Sequence, residues 1–147
     1  ALDEVSRPEP KTVNDARFST EFCLAIALLD REVSLKQFAV EKLKDQQILR
    51  HARKVRLRVD PGIAKGDPRS KATIVKVKMK NAKGYARRED FARGWPQRPM
   101  SEKELVEKYA RCVNLLLPKR KIDKSIDLIM ELEKLDDINN LIEQLST

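Results

Sequence analysis

The chain has 147 residues, 41% of them hydrophobic and 37% charged, which is typical of one folded domain with a charged surface and argues against disorder. The 31 Lys and Arg exceed the 23 Asp and Glu by eight, so the charge favours anionic partners (nucleic acid, an acidic membrane surface or small polycarboxylates) without choosing among them. No apolar stretch approaches about 20 residues and the start shows no signal-peptide pattern, so we expect a cytoplasmic protein with no membrane partner.

The first part of the chain is predicted to be a linker followed by three helices. Residues 1–12 are polar and contain two prolines, which is typical of a linker, and we expect a partner upstream of it. An apolar stripe predicts a largely buried helix over residues 15–29. Amphipathic helices are expected over residues 34–44 and 46–52. The stripe of the first helix consists of Phe18, Phe22, Ile26 and Leu29.

The middle of the chain alternates between apolar and basic residues, which predicts strands. Three strands are expected, over residues 55–59, 72–80 and 85–89, and they form an antiparallel meander. The turn at residues 81–84 ends in Gly84, where a positive backbone angle is easiest. One face of the sheet is then apolar, and the other is basic.

The last part is predicted to be a proline-containing loop followed by two helices. The loop covers residues 94–100. Ser101 and Glu104 are spaced for a capping box at the start of the next helix, and Pro118 ends that helix. The final helix is expected over residues 122–145, with a break at Asp136. The predicted fold is therefore α+β, a small antiparallel sheet of about three strands with helices packed on one face.

The residues best suited to metal binding or proton transfer give little signal. Cys23 and Cys112 lie in amphipathic patterns, which predicts two buried free thiols in a reducing compartment. His51 is the only histidine, and no metal-ligand spacing surrounds it. It also has no carboxylate nearby in sequence to orient it, so we expect a surface or helix-terminal role and no metal site.

Four stretches of the sequence, in this order, resemble the carboxy-terminal lid domain of the MmgE/PrpD family. That family includes 2-methylcitrate dehydratase, cis-aconitate decarboxylase and iminodisuccinate epimerase, and the resemblance covers almost the whole chain. Two positions differ: Phe22 stands where relatives often have a tyrosine that reaches the substrate cleft, and Arg31 stands where they often have glycine. The four stretches are Asp15-Ala-Arg-Phe-Ser19 with Phe22-Cys-Leu-Ala-Ile-Ala-Leu-Leu-Asp30, Val55-Arg-Leu-Arg-Val-Asp-Pro61, Gly94-Trp-Pro-Gln-Arg-Pro-Met-Ser101 and Glu104-Leu-Val-Glu-Lys-Tyr109.

The resemblance implies that residues 13–147 are the lid of a lyase or isomerase that acts on small di- or tricarboxylates without a metal or organic cofactor. In the relatives a larger helical domain supplies most of the catalytic residues. We therefore assign no catalytic residue to this chain, expect it to be inactive alone, and expect a helical domain or subunit and a small polycarboxylate as its partners. Dimerisation of the chain stays open.

Four residues are candidates for substrate binding: Arg17, Ser19, Phe22 and Arg98. Arg17 and Ser19 stand at the start of the first core helix, where free amides and the helix dipole favour an anion. The alternative is that Ser19 or Asp15 only caps the helix and Arg17 pairs with an acid. Arg98, in the 94–100 loop, lies at the mouth of the cleft if that loop closes over a ligand; the alternative is a rigid connector that docks on the sheet or on a partner chain.

Two other functions compete with the lid assignment. The chain is a stand-alone binding or regulatory module if no helical domain accompanies it. It binds nucleic acid if the basic sheet face contacts phosphates, but that face lacks the aromatic ladder that stacks bases, so a solvated face is favoured. The basic face consists of Lys54, Arg56, Arg58, Lys76, Lys78 and Lys80.

Overall fold

The computed structural model describes residues 6–63 and 72–146. These residues belong to two compact units, the first ending at Met100 and the second beginning at Ser101, whereas the length alone predicts one. The first unit holds helices and a two-stranded sheet, and the second is helical. The α+β class is confirmed, with two strands where about three were expected.

The first unit begins with helix α1 (Val13–Arg17) and helix α2 (Thr20–Asp30). The sequence predicts one helix over residues 15–29, and the structure divides it before Ser19. Ser19 has an extended backbone, and its hydroxyl accepts a hydrogen bond from the Phe22 amide at 3.0 Å, which starts a new helix. Helix α2 ends at Arg31, whose φ of 56° is left-handed.

The helices after α2 follow the expected order with one further break. A 3-10 turn (Leu35–Phe38) and helix α3 (Val40–Leu43) replace the single helix predicted over residues 34–44, because Ala39 between them is extended. Helix α4 (Gln46–Ala52) has the predicted bounds. The Asp45 carboxylate caps it by accepting a hydrogen bond from the Gln47 amide at 2.7 Å.

The core of the first unit lies where α2 packs against α4. Phe22, Ile26 and Ile48 are its largest fully buried apolar side chains. The rings of Phe22 and Phe38 have centroids 6.4 Å apart. The buried cluster comprises Ala16, Phe22, Ala25, Ile26, Leu43, Ile48 and Ala52.

The strand predicted over residues 55–59 is not a strand in the structure. Val55 and Leu57 are half-buried and alternate with exposed arginines, as the pattern indicates, but among the described residues no neighbouring strand pairs with them. Alternation reports which side chains turn inward, whereas a strand also requires a hydrogen-bonded partner. The prediction was therefore correct for the alternation at residues 55–58, and wrong for Val59, which is 68% exposed, and for the sheet.

The other two predicted strands form an antiparallel hairpin of β1 (Thr73–Lys78) and β2 (Gly84–Glu89). Val77 lies opposite Tyr85, and Lys78 lies opposite Gly84. The positive backbone angle of the turn falls on Ala82, with φ 64°, rather than on Gly84 as expected. The Ala82 amide donates to the Met79 carbonyl at 3.0 Å and closes the turn.

The second unit contains helices α5 (Glu102–Val113), α6 (Lys119–Met130) and α7 (Asn139–Leu145), with a 3-10 turn (Leu132–Lys134) between the last two. The predicted capping box is present, since Ser101 and Glu104 bond to each other's backbone amides. Among residues 6–63 and 72–146, every helix is too short or too polar to cross a lipid bilayer.

The two cysteines are less buried than predicted. Both are free thiols, but Cys112 is exposed and Cys23 is half-buried. Cys112 lies on α5 together with Leu105, which is 53% exposed, and Leu116, which follows the end of α5, is 72% exposed. Burial raises the pKa of the Cys23 thiol.

Candidate functional site

Ser19 is fully buried at the junction of α1 and α2, where its hydroxyl makes two strong hydrogen bonds. Its oxygen accepts from the Phe22 amide at 3.0 Å, and its proton is donated to the carbonyl oxygen of Arg7 at 2.5 Å. A hydroxyl has one proton to donate. Ser19 therefore caps α2, as in the alternative in which it only caps the helix, and it also binds the segment before α1. Its contact with a substrate stays a prediction.

The neighbouring candidates Arg17 and Phe22 differ in accessibility. Arg17 is exposed in the last turn of α1, and no acid among the described residues pairs with it. Phe22 is fully buried and lies against Phe38. Arg17 is therefore the more accessible of the two, and neither assignment to substrate is tested by the geometry.

The segment before α1 is bound to α2 through Glu21, a residue that the sequence did not single out. Glu21 is 4% exposed. Its carboxylate accepts hydrogen bonds from the Ser6 hydroxyl at 2.6 Å and from the Arg7 amide at 3.0 Å. A buried carboxylate needs such donors, because its desolvation is costly without them. The sequence does show an acid in the first turn of a capped helix, which could have drawn attention to Glu21. Its partners could not be predicted, because they lie about 15 residues away.

A cleft of about 420 Å³ opens beside this segment in the first unit. Ser6 and Pro8 line it from the segment, Glu21 lines it from α2, and the remaining lining comes from the chain after α4, at Arg53 and at residues 55–57. The Arg53 Nε donates to a carboxylate oxygen of Glu9 at 2.7 Å. The cleft therefore brings cationic and apolar side chains together. The sequence did not predict it, since the lining residues before and after α4 are more than 30 residues apart along the chain.

A Thr12–Asp15 capping box lies at the start of α1. Asp15 accepts hydrogen bonds from the Thr12 amide, at 3.1 Å, and from Arg7 Nη1, at 3.5 Å. The hydrogen bond with the Thr12 side chain, followed by the backbone bond and by the Arg7 charge, holds the pKa of Asp15 below its ordinary value. Asp15 is therefore a capping carboxylate of α1 and stays ionised near neutral pH.

Arg98 lies in the loop after β2 and pairs with Glu89 at the end of that strand. Its Nη1 is 2.8 Å from Glu89 Oε2 and donates to the Phe91 carbonyl at 3.4 Å. The rings of Phe91 and Trp95 have centroids 6.2 Å apart. These contacts favour the connector that docks on the sheet. No contact among the described residues joins Arg98 to Ser19 or Phe22, so the four candidates do not form one site here.

His51 lies in the last turn of α4, and its Nδ1 is 2.8 Å from the Gln47 carbonyl oxygen. This is the helix-terminal role that was expected. Within the two described ranges, no group of three or more His, Cys, Asp or Glu is arranged to hold a metal ion.

The basic face is smaller than predicted. On the hairpin, Lys76 and Lys78 share one face, opposite Ala86 and Gly84. The three basic residues at positions 54, 56 and 58 do not join this face as a third strand, because residues 54–59 lie outside the sheet. The six residues therefore do not form one continuous sheet surface.

Comparison with known proteins gives one family and two related enzymes. The profile of the MmgE/PrpD C-terminal domain matches residues 1–133. Cis-aconitate decarboxylase of Mus musculus is 24% identical over 140 residues, which are 93% of this chain and 28% of the mouse protein. Cis-aconitate decarboxylase of Homo sapiens is 25% identical over 141 residues, with the same two shares. The chain thus spans 28% of the length of these curated relatives.

Proposed function

The chain belongs to the MmgE/PrpD family, whose C-terminal domain it contains, and on this basis we propose that it is the lid of a cofactor-independent lyase or isomerase acting on small di- or tricarboxylates. The family match over residues 1–133 is the observation that carries the proposal. Both curated relatives are named for the decarboxylation of cis-aconitate, a tricarboxylate, which supports the substrate class.

The proposal assigns binding and closure to this chain and proton transfer to a helical domain. Proton removal beside a carboxylate requires an acid/base pair at the reacting carbon and cations on the carboxylates. The described residues include exposed arginines that can bind the substrate carboxylates. Their one histidine is bonded to its own helix, and Glu21 is buried and bonded to Ser6 and Arg7. The proposal therefore assigns the acid/base pair to a second domain or subunit.

The proposal is tested by assaying the 147-residue chain alone, the helical domain of a relative alone, and the two together, each with cis-aconitate and with 2-methylcitrate. Release of carbon dioxide is measured for the first acid and loss of water for the second. We expect turnover only when both parts are present. Turnover by the 147-residue chain alone would contradict the lid assignment.

A second outcome concerns the rival function. If the chain binds the helical domain but the pair turns over neither acid nor other small polycarboxylates, the lyase or isomerase proposal is wrong and a regulatory module is favoured. The helical domain is also assayed with a lid that carries Arg98→Lys or Arg17→Gln, beside the unchanged lid. Comparing assembly with turnover for each variant distinguishes loss of assembly from loss of substrate binding. Assembly is followed by size-exclusion chromatography.

A further inference from the structure

The cleft beside the amino-terminal segment has two arginines whose donors the described residues use only in part. Arg53 uses its Nε–H for Glu9, and Arg56 uses Nη1 for the carbonyl oxygens of Arg53, at 2.7 Å, and Val55, at 3.2 Å. A guanidinium has five N–H donors in a planar fork. Within residues 6–63 and 72–146, each arginine therefore keeps donors for a further acceptor, and the fork suits the paired oxygens of a carboxylate or phosphate.

The other lining residues make the cleft amphipathic. Pro8, Val55 and Leu57 supply apolar surface. Val55 and Leu57 are half-buried in a stretch that pairs with no other described strand, so their outer surfaces stay available. At about 420 Å³ the cleft lies at the lower end of the usual range for small-molecule sites. These features fit a ligand with a short hydrocarbon part and one anionic group.

The chain itself shows that Arg53 binds a carboxylate, because Glu9 already occupies one of its donors. Both side chains of this ion pair are at least half exposed, 50% for Arg53 and 59% for Glu9. An exposed pair of this kind is weak and exchanges with solvent and solutes. A soluble carboxylate or phosphate at sufficient concentration therefore competes with Glu9 for Arg53.

Glu21 sets the charge of the ligand. Its carboxylate lines the cleft but is satisfied by Ser6 and Arg7, so it does not neutralise the arginines by pairing with them. It does repel a second anionic group placed near Ser6. Two cations and one buried carboxylate thus favour a ligand with a single anionic group.

We propose that this arginine cleft, lined by Arg53, Arg56, Pro8 and Leu57, is a binding site for a small organic anion with one carboxylate or phosphate and a short hydrocarbon part, and that Glu9 competes with this ligand for Arg53. The site goes beyond the proposed lid function, since it lies wholly within the first unit and needs no helical domain. Binding to the chain alone tests it, so its failure is distinct from a failure of the lid assignment.

The experiment is a backbone amide NMR titration of the uniformly nitrogen-15-labelled 147-residue chain. The probes are sodium butyrate and sodium propyl phosphate, with 1-butanol and sodium chloride at matched concentration as controls. We expect saturable shifts of the amides of residues 53–57 with at least one of the two anions and none with 1-butanol. Saturation by butyrate alone identifies a carboxylate ligand, and saturation by propyl phosphate alone identifies a phosphate ligand.

Variants assign the binding to the named side chains. Arg56→Gln and Arg53→Gln are expected to weaken binding about tenfold, since each removes a charge-assisted hydrogen bond. Glu9→Gln is expected to strengthen it about two- to fivefold, the range that an exposed ion pair contributes. Arg50→Gln is the matched control, because Arg50 is exposed on α4, carries the same charge and does not line the cleft.

Three results would overturn the proposal. The first is that both anions cause the same amide chemical-shift changes as sodium chloride. The second is a loss of affinity in Arg50→Gln as large as in Arg56→Gln, which indicates a general charge effect. The third is weaker binding by Glu9→Gln, a variant that leaves both arginines in place.

Discussion

Arg98 Nη1 lies 2.8 Å from Glu89 Oε2, and this ion pair fixes the loop of residues 94–100 to the end of β2. The other carboxylate oxygen of Glu89 is 2.8 Å from Arg87 Nη2. One glutamate therefore pairs with two arginines, one in the strand and one in the loop. For Arg98 to bind a substrate carboxylate it must share or leave Glu89.

The Arg87 pair supplies a matched control for the substrate role of Arg98. Arg98→Lys is expected to raise KM for the carboxylate substrate of the assembled enzyme, because an ammonium does not reproduce the planar fork of a guanidinium. Arg87→Lys perturbs the same Glu89 and is expected to leave KM unchanged. Steady-state kinetics of both variants decide the point. Equal KM values for the two variants would indicate that Arg98 acts only as a connector.

Phe22→Tyr introduces the tyrosine that the family resemblance leads us to expect at this position. The Phe22 ring is fully buried, so the new hydroxyl lacks water and is expected to lower the free energy of unfolding by about 1–3 kcal/mol. Phe38→Tyr is the control, because Phe38 is half-buried and its hydroxyl can reach solvent. Urea unfolding followed by circular dichroism measures both. Undiminished stability of Phe22→Tyr would show that the ring edge reaches a polar cleft, and would favour the substrate role.

Arg31→Gly is expected to stabilise the first unit by up to about 1 kcal/mol, since Arg31 ends α2 with a φ of 56°, a conformation that glycine adopts without the Cβ clash. Glu32→Gly is the control, because Glu32 does not have a positive φ and there a glycine only adds entropy to the unfolded chain. Thermal unfolding compares the two. A loss of stability in both variants would contradict the expectation.

Ala82→Gly is expected to stabilise the hairpin for the same reason, since Ala82 has a φ of 64° in the turn. Gly84→Ala is expected to be tolerated, because a Cβ built at Gly84 has no atom within 4 Å. Hydrogen exchange of the β1 and β2 amides reports the stability of the hairpin. If the amides exchange faster in Ala82→Gly and also lose much of their protection in Gly84→Ala, then Gly84, and not Ala82, is the position of the turn that requires glycine.

Asp30 gives a pH dependence with a defined sign. The hydrogen bond from Lys42 Nζ, at 2.8 Å, is the main cause that lowers the pKa of Asp30 below its ordinary value. A lowered folded-state pKa contributes stability that is present above the unfolded pKa, about 4, and is lost as pH falls through the folded pKa. Lys42→Met is expected to raise the Asp30 pKa and to flatten the loss of stability in acid.

The Asp30 pKa is measured by NMR titration of the carboxyl carbon in the wild-type chain and in Lys42→Met. Lys44→Met is the control, since Lys44 is exposed just beyond α3 and makes no side-chain bond to Asp30. An Asp30 pKa that is the same in the wild type and in Lys42→Met would rule out this pair as the cause.

The sequence alone determined the parts of the fold that depend on neighbours within a few residues. Asp45 caps α4 at the bounds that the pattern predicts, and Ser101 forms its box with Glu104 three residues later. The α+β class and the family likewise follow from local motifs in a fixed order. These predictions hold because a cap or a turn is satisfied by atoms that the local chain itself supplies.

Only the tertiary structure decided which residues contact one another across long stretches of chain. It left residues 55–59 outside the sheet, bound Glu21 to Ser6, and brought Glu9 to Arg53, which is 44 residues away. Ser19 was predicted as a cap or a substrate ligand, and its bond to the Arg7 carbonyl was visible only in the fold. A hydrogen bond or ion pair between distant residues depends on how helices pack, and no local period encodes that packing.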